Sequence, residues 1–542
     1  MRSPLLDALR RLASEHAEAS ARNVDVERVR DERRARAFSR RGFVQAAGAV
    51  AGLAVASRAG VARARSAPRI AIVGGGIAGL NAALTLSDQG YASTVYEASS
   101  YVGGRMHSNR SWADGQTSEW CGELIDTGHK TILQLAKRFG LSVVDEIQAQ
   151  PPGSGDTFYF DGAYYPVKQA DIDFQPVHNT LQGQIQAAPF PTLYSSFTAV
   201  GKALDDMSLY DWIETYVAGG HSSPLGAYLD SAYNQEYGLD TQYQSSLNLV
   251  YLLGYQAKPG SFTIYGKSDE RYHVVGGNDQ IPLGIAASLP SGSVLTGWRM
   301  TRLVLNADGS YTLTFSTARG TQTVTADRVI LTVPFSVLRG LDTSRAGFDA
   351  LKQAAITQLG YGTNSKLVLQ FDQRYWNTSG PWGVGDGNIY TDLPFQNTWE
   401  SSRGIPGNSG VLVGFMGGSY GASFTGASTP FASADTSKAV QQYAATFLTQ
   451  LEKAWPGITP HWNGRATLST PWRDPNLLGS YSCWKVGQYT AFSGYEGARQ
   501  GKCHFAGEHC SIDFQGFMEG GADEGARAAG EILADYKAGV FP

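Results

Sequence analysis

The stretch RIAIVGGGIAGLNAALTLSDQGYASTVYEA, residues 69–98, constrains the fold more strongly than any other part of the chain. A short apolar run leads to Gly74, Gly76 and Gly79 in G-x-G-x-x-G spacing, and a helical pattern and a second apolar run ending at Glu97 follow. This order is typical of a Rossmann-type dinucleotide site. The first glycine permits the tight turn, the second lets the backbone approach a pyrophosphate, and the third lets the helix pack on the strand. Glu97 is placed to accept hydrogen bonds from ribose hydroxyls.

The next turn, YVGGRMHSN, distinguishes between NAD and FAD, the two dinucleotides that this fingerprint allows. Gly103, Gly104 and Arg105 follow the acidic residue closely. They resemble the second motif of flavoproteins of the GG family, in which the arginine lies against the phosphate region of the flavin. A glycine turn that closes a hairpin is the alternative. The two motifs together favour FAD.

The C-terminal stretch HFAGEHCSIDFQGFMEGGADEGARAAGEIL, residues 504–533, predicts a strand, a loop and an amphipathic helix with small residues on one side. Together with the first two motifs it resembles the flavin amine oxidase family, which includes monoamine oxidases, polyamine oxidases and L-amino acid oxidases. Its motif style is closest to that of bacterial L-amino acid oxidases. The resemblance implies that Ala506 lies beside the cofactor, and that the cofactor contacts are Gly74, Gly76, Ala78, Gly79, Glu97, Gly104, Arg105, Gly507, Glu508, Gly516, Phe517 and Met518.

Three internal segments fall in the order that the family shows, so that the resemblance spans roughly residues 69–535. They are SEWCGELIDTGHKTILQLAKRFGL from Ser118, DERYHVVGGNDQIPLGIAASL from Asp269 and ADRVILTVPFSVL from Ala326. The match is thin between about residues 150 and 265.

The resemblance also implies which residues carry the chemistry. In the family a lysine near the start of an inner strand holds a water at flavin N5, and GYGTNSKLVLQF places Lys366 just before such a strand. Two aromatic residues commonly sandwich the substrate amine, and Tyr481 and Phe517 occupy those positions. The alternatives are a lysine at an exposed strand end and two ordinary core aromatics. Because Phe517 replaces the tyrosine or tryptophan of relatives, we expect a less polar cage.

The cysteine pattern bears on how the cofactor is held. Ser480 falls where monoamine oxidases carry the cysteine that bonds to flavin, and Cys483 is three positions away, so we expect non-covalent FAD. The four cysteines are too few and too scattered for a disulfide framework or a regularly spaced zinc site. A bridge between Cys503 and Cys510 stays open, and no metal is expected.

The substrate is left between two classes. An amino acid oxidase needs a cation for the substrate carboxylate, ideally an arginine. The segment that supplies this arginine in venom-type enzymes reads WCGELID here and has none, which leaves Arg271 and Arg473 as candidates. We expect oxidative deamination of an L-amino acid to the 2-oxo acid with release of ammonia and hydrogen peroxide, oxygen being the acceptor. A primary amine or polyamine oxidase is the alternative, and a flavin-binding protein without amine chemistry, such as a desaturase-like or scaffold member of the superfamily, is a third possibility.

The predicted fold class is α/β, with a discontinuous Rossmann-like FAD-binding domain, a mixed-sheet substrate domain and a helical insertion over the substrate entrance. A chain of 542 residues is too long for one compact core. The expected segments are a leader at 1–67, FAD-binding parts at 68–130, 265–349 and 470–542, substrate-domain parts at 131–175 and 350–469, and the insertion at 176–264.

The N-terminal 67 residues resemble a twin-arginine export signal. Ser39, Arg40, Arg41 and Phe43 fit its S-R-R-x-F core, and a mildly apolar stretch and small residues follow. A basic helix that happens to contain an arginine pair is the alternative. The apolar stretch is too short to span a bilayer, so we expect a periplasmic or secreted protein without a membrane span.

The net charge of −4 gives no reason to expect a nucleic acid or an anionic membrane as partner. We therefore expect a small substrate, and a homodimer is possible because related enzymes are often dimeric.

Overall fold

A five-stranded parallel sheet carries the glycine-rich stretch at its centre. The computed structural model describes residues 68–256 and 262–540, and the predicted leader therefore lies outside the described residues. The sheet order is β24–β13–β1–β2–β9, with β1 Ile70–Val73, β2 Thr94–Tyr96, β9 Val294–Leu295, β13 Arg328–Leu331 and β24 Cys503–Phe505.

The register of this sheet brings distant loops to one edge. Val73 is the partner of both Tyr96 and Leu331, and Leu331 is the partner of Phe505. Parallel strands whose last residues are paired deliver the next residues of the chain to the same edge, which is where ligands bind in open α/β sheets. Gly74, Glu97, Thr332 and Ala506 therefore meet at the carboxyl end of the sheet.

A mixed sheet forms the second large layer. Its order is β21–β22–β16–β20–β19–β18–β6–β7, with β17 paired to β18. The strands are β6 Gly155–Phe160, β7 Ala163–Tyr164, β16 Ser365–Phe371, β17 Ser379–Gly380, β18 Gly383–Thr391, β19 Asn397–Glu400, β20 Gly410–Met416, β21 Phe431–Ser433 and β22 Trp462–Ser469. β16 is buried along its whole length between β20 and β22.

The remaining strands form smaller sheets. One has the order β12–β11–β10–β14, with β10 Arg299–Leu305, β11 Tyr311–Thr317, β12 Gly320–Ala326 and β14 Asp342–Arg345. The pairs are β3 Ser108–Asn109 with β4 Ser118–Glu119, β5 Val143–Asp145 with β8 Tyr272–Val274, and β15 Gly360–Tyr361 with β23 Ser482–Cys483.

Helices pack on the parallel sheet and on the mixed sheet, and a further group clusters between residues 167 and 253. The helices are α1 Ile77–Ser87, α2 Lys130–Arg138, α3 Val167–Ala187, α4 Ala199–Asp205, α5 Leu209–Tyr216, α6 Pro224–Tyr237, α7 Leu247–Leu253, α8 Gln280–Ser288, α9 Phe335–Leu338, α10 Ala350–Gln358, α11 Gly418–Gly421, α12 Lys438–Ala454, α13 Gln488–Phe492 and α14 Met518–Lys537. Short 3₁₀ turns lie at Ala113–Gly115, Gly220–Ser222, Tyr375–Asn377, Thr459–His461, Pro471–Arg473 and Glu508–Cys510.

Local chemistry explains several helix starts in the segment predicted to be helical. Ser223 accepts a hydrogen bond from the amide of Gly226 at the start of α6, with Pro224 in the first turn. Ser208 and Thr198 cap α5 and α4 in the same way.

The α/β fold class predicted above is confirmed by this architecture. From Pro68 onward the described chain forms one compact unit. The domain boundaries proposed from the sequence stay predictions, and residues 257–261 of the predicted insertion lie outside the described residues.

Candidate active site

A cavity of about 900 Å³ opens at the carboxyl edge of the parallel sheet and reaches the mixed sheet. Gly74, Glu97 and Gly507 line it on the first side, and Lys366 and Trp399 line it on the second. Its volume lies within the range of about 300–1,000 Å³ that is usual for ligand pockets. The predicted cofactor residues and the predicted Lys366 therefore face one space.

The glycine loop is shaped by its neighbours. Gly74 has φ +108°, a conformation that favours glycine, and a Cβ there would lie 2.5 Å from Thr332 Oγ1. At Gly76 the space is open, since the nearest atom to a Cβ is the Gly103 carbonyl oxygen at 3.9 Å. The loop thus leaves room at Gly76 for a ligand to approach its backbone.

Glu97 lies directly after β2 and binds the loop. Its Oε2 accepts a hydrogen bond from the Gly75 amide at 2.6 Å, and its Oε1 accepts from the amide and hydroxyl of Ser99, each at 2.7 Å. The carboxylate is buried but lines the cavity. Glu97 therefore stands beside the glycine turn, where the fingerprint predicted a ribose contact.

Two glycines let α1 pack closely on its neighbours, Gly79 on the turn after β1 and Gly525 of α14 on α1 itself. A Cβ at Gly79 would clash with the Gly74 carbonyl oxygen, and one at Gly525 would clash with the Ala78 carbonyl oxygen. Ala78 is buried and also lines the cavity. The third glycine of the fingerprint thus serves packing, as its position predicted.

Arg105 connects the second motif to the C-terminal motif. Its Nη1 donates to Glu508 Oε1 and to the Ser480 carbonyl oxygen, each at 2.9 Å. Gly103 and Gly104 precede it with φ +109° and +58°. The arginine and Glu508 both line the cavity.

Glu508 is a hydrogen-bonding centre of the C-terminal motif. It accepts from the amide and hydroxyl of Ser482 at 3.1 and 2.7 Å and from the Gly516 amide at 2.8 Å. Burial raises the pKa of its carboxyl, but Arg105, His509 and these hydrogen bonds outweigh burial and hold the pKa below its usual value. Glu508 is therefore a carboxylate that holds the two motifs together.

The turn after Glu508 delivers the ring-side residues to the cavity. Gly507 and Gly516 have φ +134° and +87°, and both line the cavity with Phe517 and Met518. Phe517 is the residue before α14, and its ring packs edge-on against His129 at 4.8 Å between ring centroids.

Lys366 is the second residue of β16, rather than just before it as predicted, and it is 5% exposed. Its Nζ donates to Glu123 Oε2 at 2.7 Å and to the Cys121 carbonyl oxygen at 2.6 Å, and a third acceptor, the Glu119 carbonyl oxygen, lies at 3.5 Å. The Trp399 ring centroid is 5.2 Å away. Lys366 is thus not at an exposed strand end.

Tyr481 faces the same cavity as Phe517. Its hydroxyl donates to the Glu236 carbonyl oxygen, and burial raises the pKa of the phenol well above its usual value. Its ring edge is 3.4 Å from the position that a Cβ would take at Gly516. The two aromatic residues predicted to flank the substrate amine, Tyr481 and Phe517, therefore line the same cavity.

The sequence analysis did not anticipate how acidic the rest of the lining is. The acidic residues of the cavity outside the glycine motifs are Glu123, Glu146, Asp156, Glu236, Asp269, Glu270, Asp386 and Glu400, whereas the basic ones are Arg299, Lys366 and Arg403. Burial raises the pKa of Glu236 to about 7 and raises that of Glu270 well above its usual value, to which the neighbouring Glu236 and Asp126 add. These residues are scattered along the sequence and carry no spacing signal.

Neither arginine candidate for a substrate carboxylate belongs to the cavity lining. Arg271 forms an ion pair with Asp145 at 2.7 Å, and Arg473 lies in a 3₁₀ turn. Arg403 does line the cavity, where its Nη2 donates to the Asp386 carbonyl oxygen and its Nε is 3.7 Å from Glu146. The described cavity therefore contradicts the expectation for Arg271 and Arg473: neither lines it, Arg271 is paired with Asp145, and Arg473 Nη1 is buried outside the lining.

The cysteines are all free thiols, so Cys503 and Cys510 do not form a bridge. Ser480 lines the cavity and Cys483 does not. Cys121 also lines it, and burial raises the pKa of the Cys121 thiol to about 11.

The residues present fit a flavin dinucleotide. Open space at Gly76, the N-terminus of α1 and the adjacent Glu97 suit a pyrophosphate and a ribose. Within the described ranges, no group of three or more His, Cys, Asp or Glu side chains is arranged to hold a metal ion. In the same ranges no helix combines the length and the apolar character needed to cross a membrane.

Comparison with known proteins supports this assignment. The family model for flavin-containing amine oxidoreductases matches residues 77–533. One relative is the Bacillus subtilis (strain 168) protein YobN, which is provisionally named an L-amino-acid oxidase. It is 25% identical to this chain over 504 residues, and the match covers 88% of this chain and 96% of YobN. An L-amino acid dehydrogenase of Synechocystis sp. is 25% identical over 482 residues, 85% of this chain and 94% of that protein.

A solved structure has the same fold. Cyclohexylamine oxidase from Brevibacterium oxydans IH-35A superposes with a TM-score of 0.72 at 21% sequence identity, covering 87% of this chain and 99% of that one.

Proposed function

The chain belongs to the family of flavin-containing amine oxidoreductases, and from this membership we propose that it oxidises an L-amino acid with FAD. The products are the 2-oxo acid, ammonia and hydrogen peroxide. The amino acid loses two electrons and two protons to give an imino acid, water hydrolyses the imino acid, and molecular oxygen takes up the two electrons and two protons. The protein is an oxidoreductase acting on a small amine or amino acid.

One observation carries the proposal. Lys366, Tyr481 and Phe517 line the same cavity as the glycine loop at Gly74 and Gly76. These residues lie on β16, next to β23 and before α14, so that a chance meeting of three predicted residues in one cavity is a poor explanation.

Each residue has a role in this proposal. A bound flavin supplies the two-electron acceptor at one face of the cavity. Tyr481 and Phe517 flank the substrate amine and exclude water from it, which favours the neutral amine that the reaction needs. Lys366 holds a water at the edge of the flavin ring. Gly74, Glu97, Arg105 and Glu508 hold the dinucleotide.

The L-amino acid is proposed on the names of the relatives. YobN and the Synechocystis dehydrogenase both carry names for L-amino acid oxidoreductases, and each matches nearly its whole length. The Synechocystis protein is named a dehydrogenase rather than an oxidase, so the names of the relatives do not agree on the electron acceptor. Our proposal of oxygen rests on the oxidase names.

A second candidate, a primary amine or polyamine oxidase, is favoured by the charges of the cavity. Lys366 is paired with Glu123, and Arg403 lies among Glu146 and Asp386. Where these two residues line the cavity, a substrate carboxylate would therefore meet basic groups that carboxylates already hold. Arg299 also lines the cavity, but it lies next to Trp298, whose amide donates to the Glu97 carbonyl oxygen, and so belongs to the glycine-loop side. An amine that has no carboxylate avoids this difficulty.

We further propose that the FAD is non-covalent, that the leader directs export to the periplasm or the medium, and that the protein forms a homodimer. The absence of a cysteine at Ser480 supports the first of these, and the S-R-R-x-F pattern supports the second.

Anaerobic titration of the FAD-loaded protein tests the function. We expect bleaching of the flavin absorbance by one or more of the twenty L-amino acids, and re-oxidation with release of peroxide when oxygen is admitted. The same titration with putrescine, spermidine and cyclohexylamine tests the second candidate, a primary amine or polyamine oxidase. Flavin that binds and is bleached by neither set overturns both candidates, and bleaching without re-oxidation by oxygen overturns the choice of acceptor.

A further inference from the structure

The buried contact between Glu123 and Lys366 has no counterpart in the roles assigned above. Both side chains are almost inaccessible, at 4% and 7% exposure, and Nζ lies 2.7 Å from Oε2. Burial raises the pKa of the Glu123 carboxyl, but the charge and hydrogen bond of Lys366 outweigh burial and keep the pKa below its usual value. The two groups therefore form a charged pair inside the protein.

The hydrogen bonds of Lys366 show which of its donors lack a strong acceptor. An ammonium group has three donors. Glu123 and the Cys121 carbonyl oxygen take two of them at 2.7 and 2.6 Å, whereas the Glu119 carbonyl oxygen lies at 3.5 Å, the outer limit of a hydrogen bond. The third N–H is thus the most weakly bonded of the three, and it is the donor for which a water in the cavity would compete.

The Glu123 carboxylate also bears on the charge of Lys366, with which it lines the cavity. Buried on its own, a lysine favours its uncharged form, because burial disfavours the cation. An uncharged amine has a lone pair and only two donors, so it would hold a water differently. The Glu123 carboxylate, 2.7 Å from Nζ, makes a charge-assisted hydrogen bond that fixes the position of the lysine head group.

We propose that Glu123 is a positioning residue that keeps Lys366 a fixed cation with one donor directed to the flavin edge. This inference rests on the proposed function, since the flavin edge is where Lys366 is placed there. Glu123 itself acts only through the lysine. The other titratable or charged groups that face this pair are Glu119, Cys121, Glu146 and His273, with Arg105 beyond Cys121 and Arg403 beyond Glu146.

The pairing is tested by unfolding, without any substrate. Glu123→Gln and Lys366→Met each leave one buried group without its partner, whereas the double variant leaves two neutral groups. We expect each single variant of the FAD-loaded protein to have a lower thermal midpoint than the double variant. If a single variant does not fold but the double variant does, that result also supports the pairing. If the decrease in thermal midpoint of the double variant equals the sum of the decreases of the two single variants, the pairing is overturned.

The placement at the flavin is tested by the visible spectrum of bound FAD against pH. We expect E123Q to show a spectral change between pH 6 and 9 beyond the change that wild type and E123Q/K366M share through Glu119 and Glu236, because only E123Q holds a buried lysine without its carboxylate. Glu123→Asp keeps the charge and should resemble wild type. Asp145→Asn, which breaks the Asp145–Arg271 ion pair outside the cavity, is the matched control.

The two failures remain distinguishable. A spectrum of E123Q that changes with pH no more than that of wild type overturns the positioning role, whether or not amines are oxidised. A wild-type protein that oxidises no amine overturns the proposed function, and the spectral and unfolding results still decide the role of Glu123.

Discussion

Arg105 Nη1 lies 2.9 Å from Glu508 Oε1, and this ion pair joins positions 403 residues apart. The arginine follows the first helix–strand unit, and the glutamate follows the last strand of the parallel sheet. Both side chains line the cavity, so their pairing fixes two walls of the predicted cofactor site relative to each other.

Glu508→Gln should weaken FAD retention. The substitution keeps an acceptor for Ser482 and Gly516 but removes the charge that holds Arg105. Since charge-assisted hydrogen bonds contribute about 1.5–3 kcal/mol, we expect FAD affinity to fall roughly 10- to 100-fold. Fluorescence titration of the apoprotein with FAD measures this, with the exposed Glu214→Gln as a control. An affinity equal to that of wild type would show that the ion pair does not shape the site.

Glycine substitutions should separate close packing from open helix surface. Gly79→Ala places a Cβ against the Gly74 carbonyl oxygen, so we expect loss of FAD binding and a lower thermal midpoint. Gly530→Ala in α14 meets nothing within 4 Å and should stabilise the protein by about 1 kcal/mol. Denaturant unfolding of both variants is the measurement. Equal effects of the two substitutions would contradict the packing that we describe at Gly79.

The acidic lining should favour substrates with a second positive charge. If an L-amino acid is the substrate, L-lysine should have a higher kcat/KM than L-norleucine, which has the same chain without the cation, by about tenfold or more. Asp269→Asn should reduce that ratio, because Asp269 lines the cavity, whereas the exposed Asp435→Asn should not. Among amines, putrescine compared with butylamine gives the same test. A preference for the uncharged member of each pair would count against a role of these acids in recognition.

The stability of the protein should fall between pH 6.5 and 8.5. Burial raises the pKa of Glu119 to about 8 and those of Glu236 and Glu519 to about 7. The folded state therefore binds protons that the unfolded state has already released, and this stabilisation is lost as the pH rises through the folded values. His129 and His509, with pKa values lowered by burial to about 3 and 4, act mainly below pH 6.5. Thermal midpoints measured across this window should decrease, and a flat or rising series would contradict these values.

Acid precipitation should leave the flavin in the supernatant. Ser480 offers no thiol, and Cys483 is buried outside the cavity lining. Among the cysteines, Cys121 is the one that lines the described cavity, and its raised pKa keeps it a thiol at neutral pH. A yellow pellet would contradict a non-covalent cofactor, and Cys121→Ser would then test whether this thiol is the point of attachment.

The parts of the site that follow local rules were predictable from the sequence. The glycine fingerprint requires particular backbone angles and contacts within a few residues, and Gly74 and Gly79 show both. Lys366, Tyr481 and Phe517 were identified by family resemblance alone. Nothing in their spacing indicates that they meet, since the sheet register that brings them together involves strands hundreds of residues apart.

The charge partners were not predictable for the same reason. Glu123 was noted in the sequence only because no arginine stands there, and its contact with Lys366 spans 243 positions. Arg271 was a reasonable candidate for a substrate carboxylate until the pairing of β5 with β8 placed Asp145 beside it. Electrostatic partners of this kind depend on the tertiary fold rather than on local sequence.

The register of the parallel sheet also has a consequence for biosynthesis. β24 is the neighbour of β13, and Glu508 follows it, so the parallel sheet lacks this strand until residue 508 has been synthesised. A nascent chain that stalls earlier lacks both the strand and the acidic residue that pairs with Arg105. We therefore expect the dinucleotide to be retained only by chains that have grown past this point.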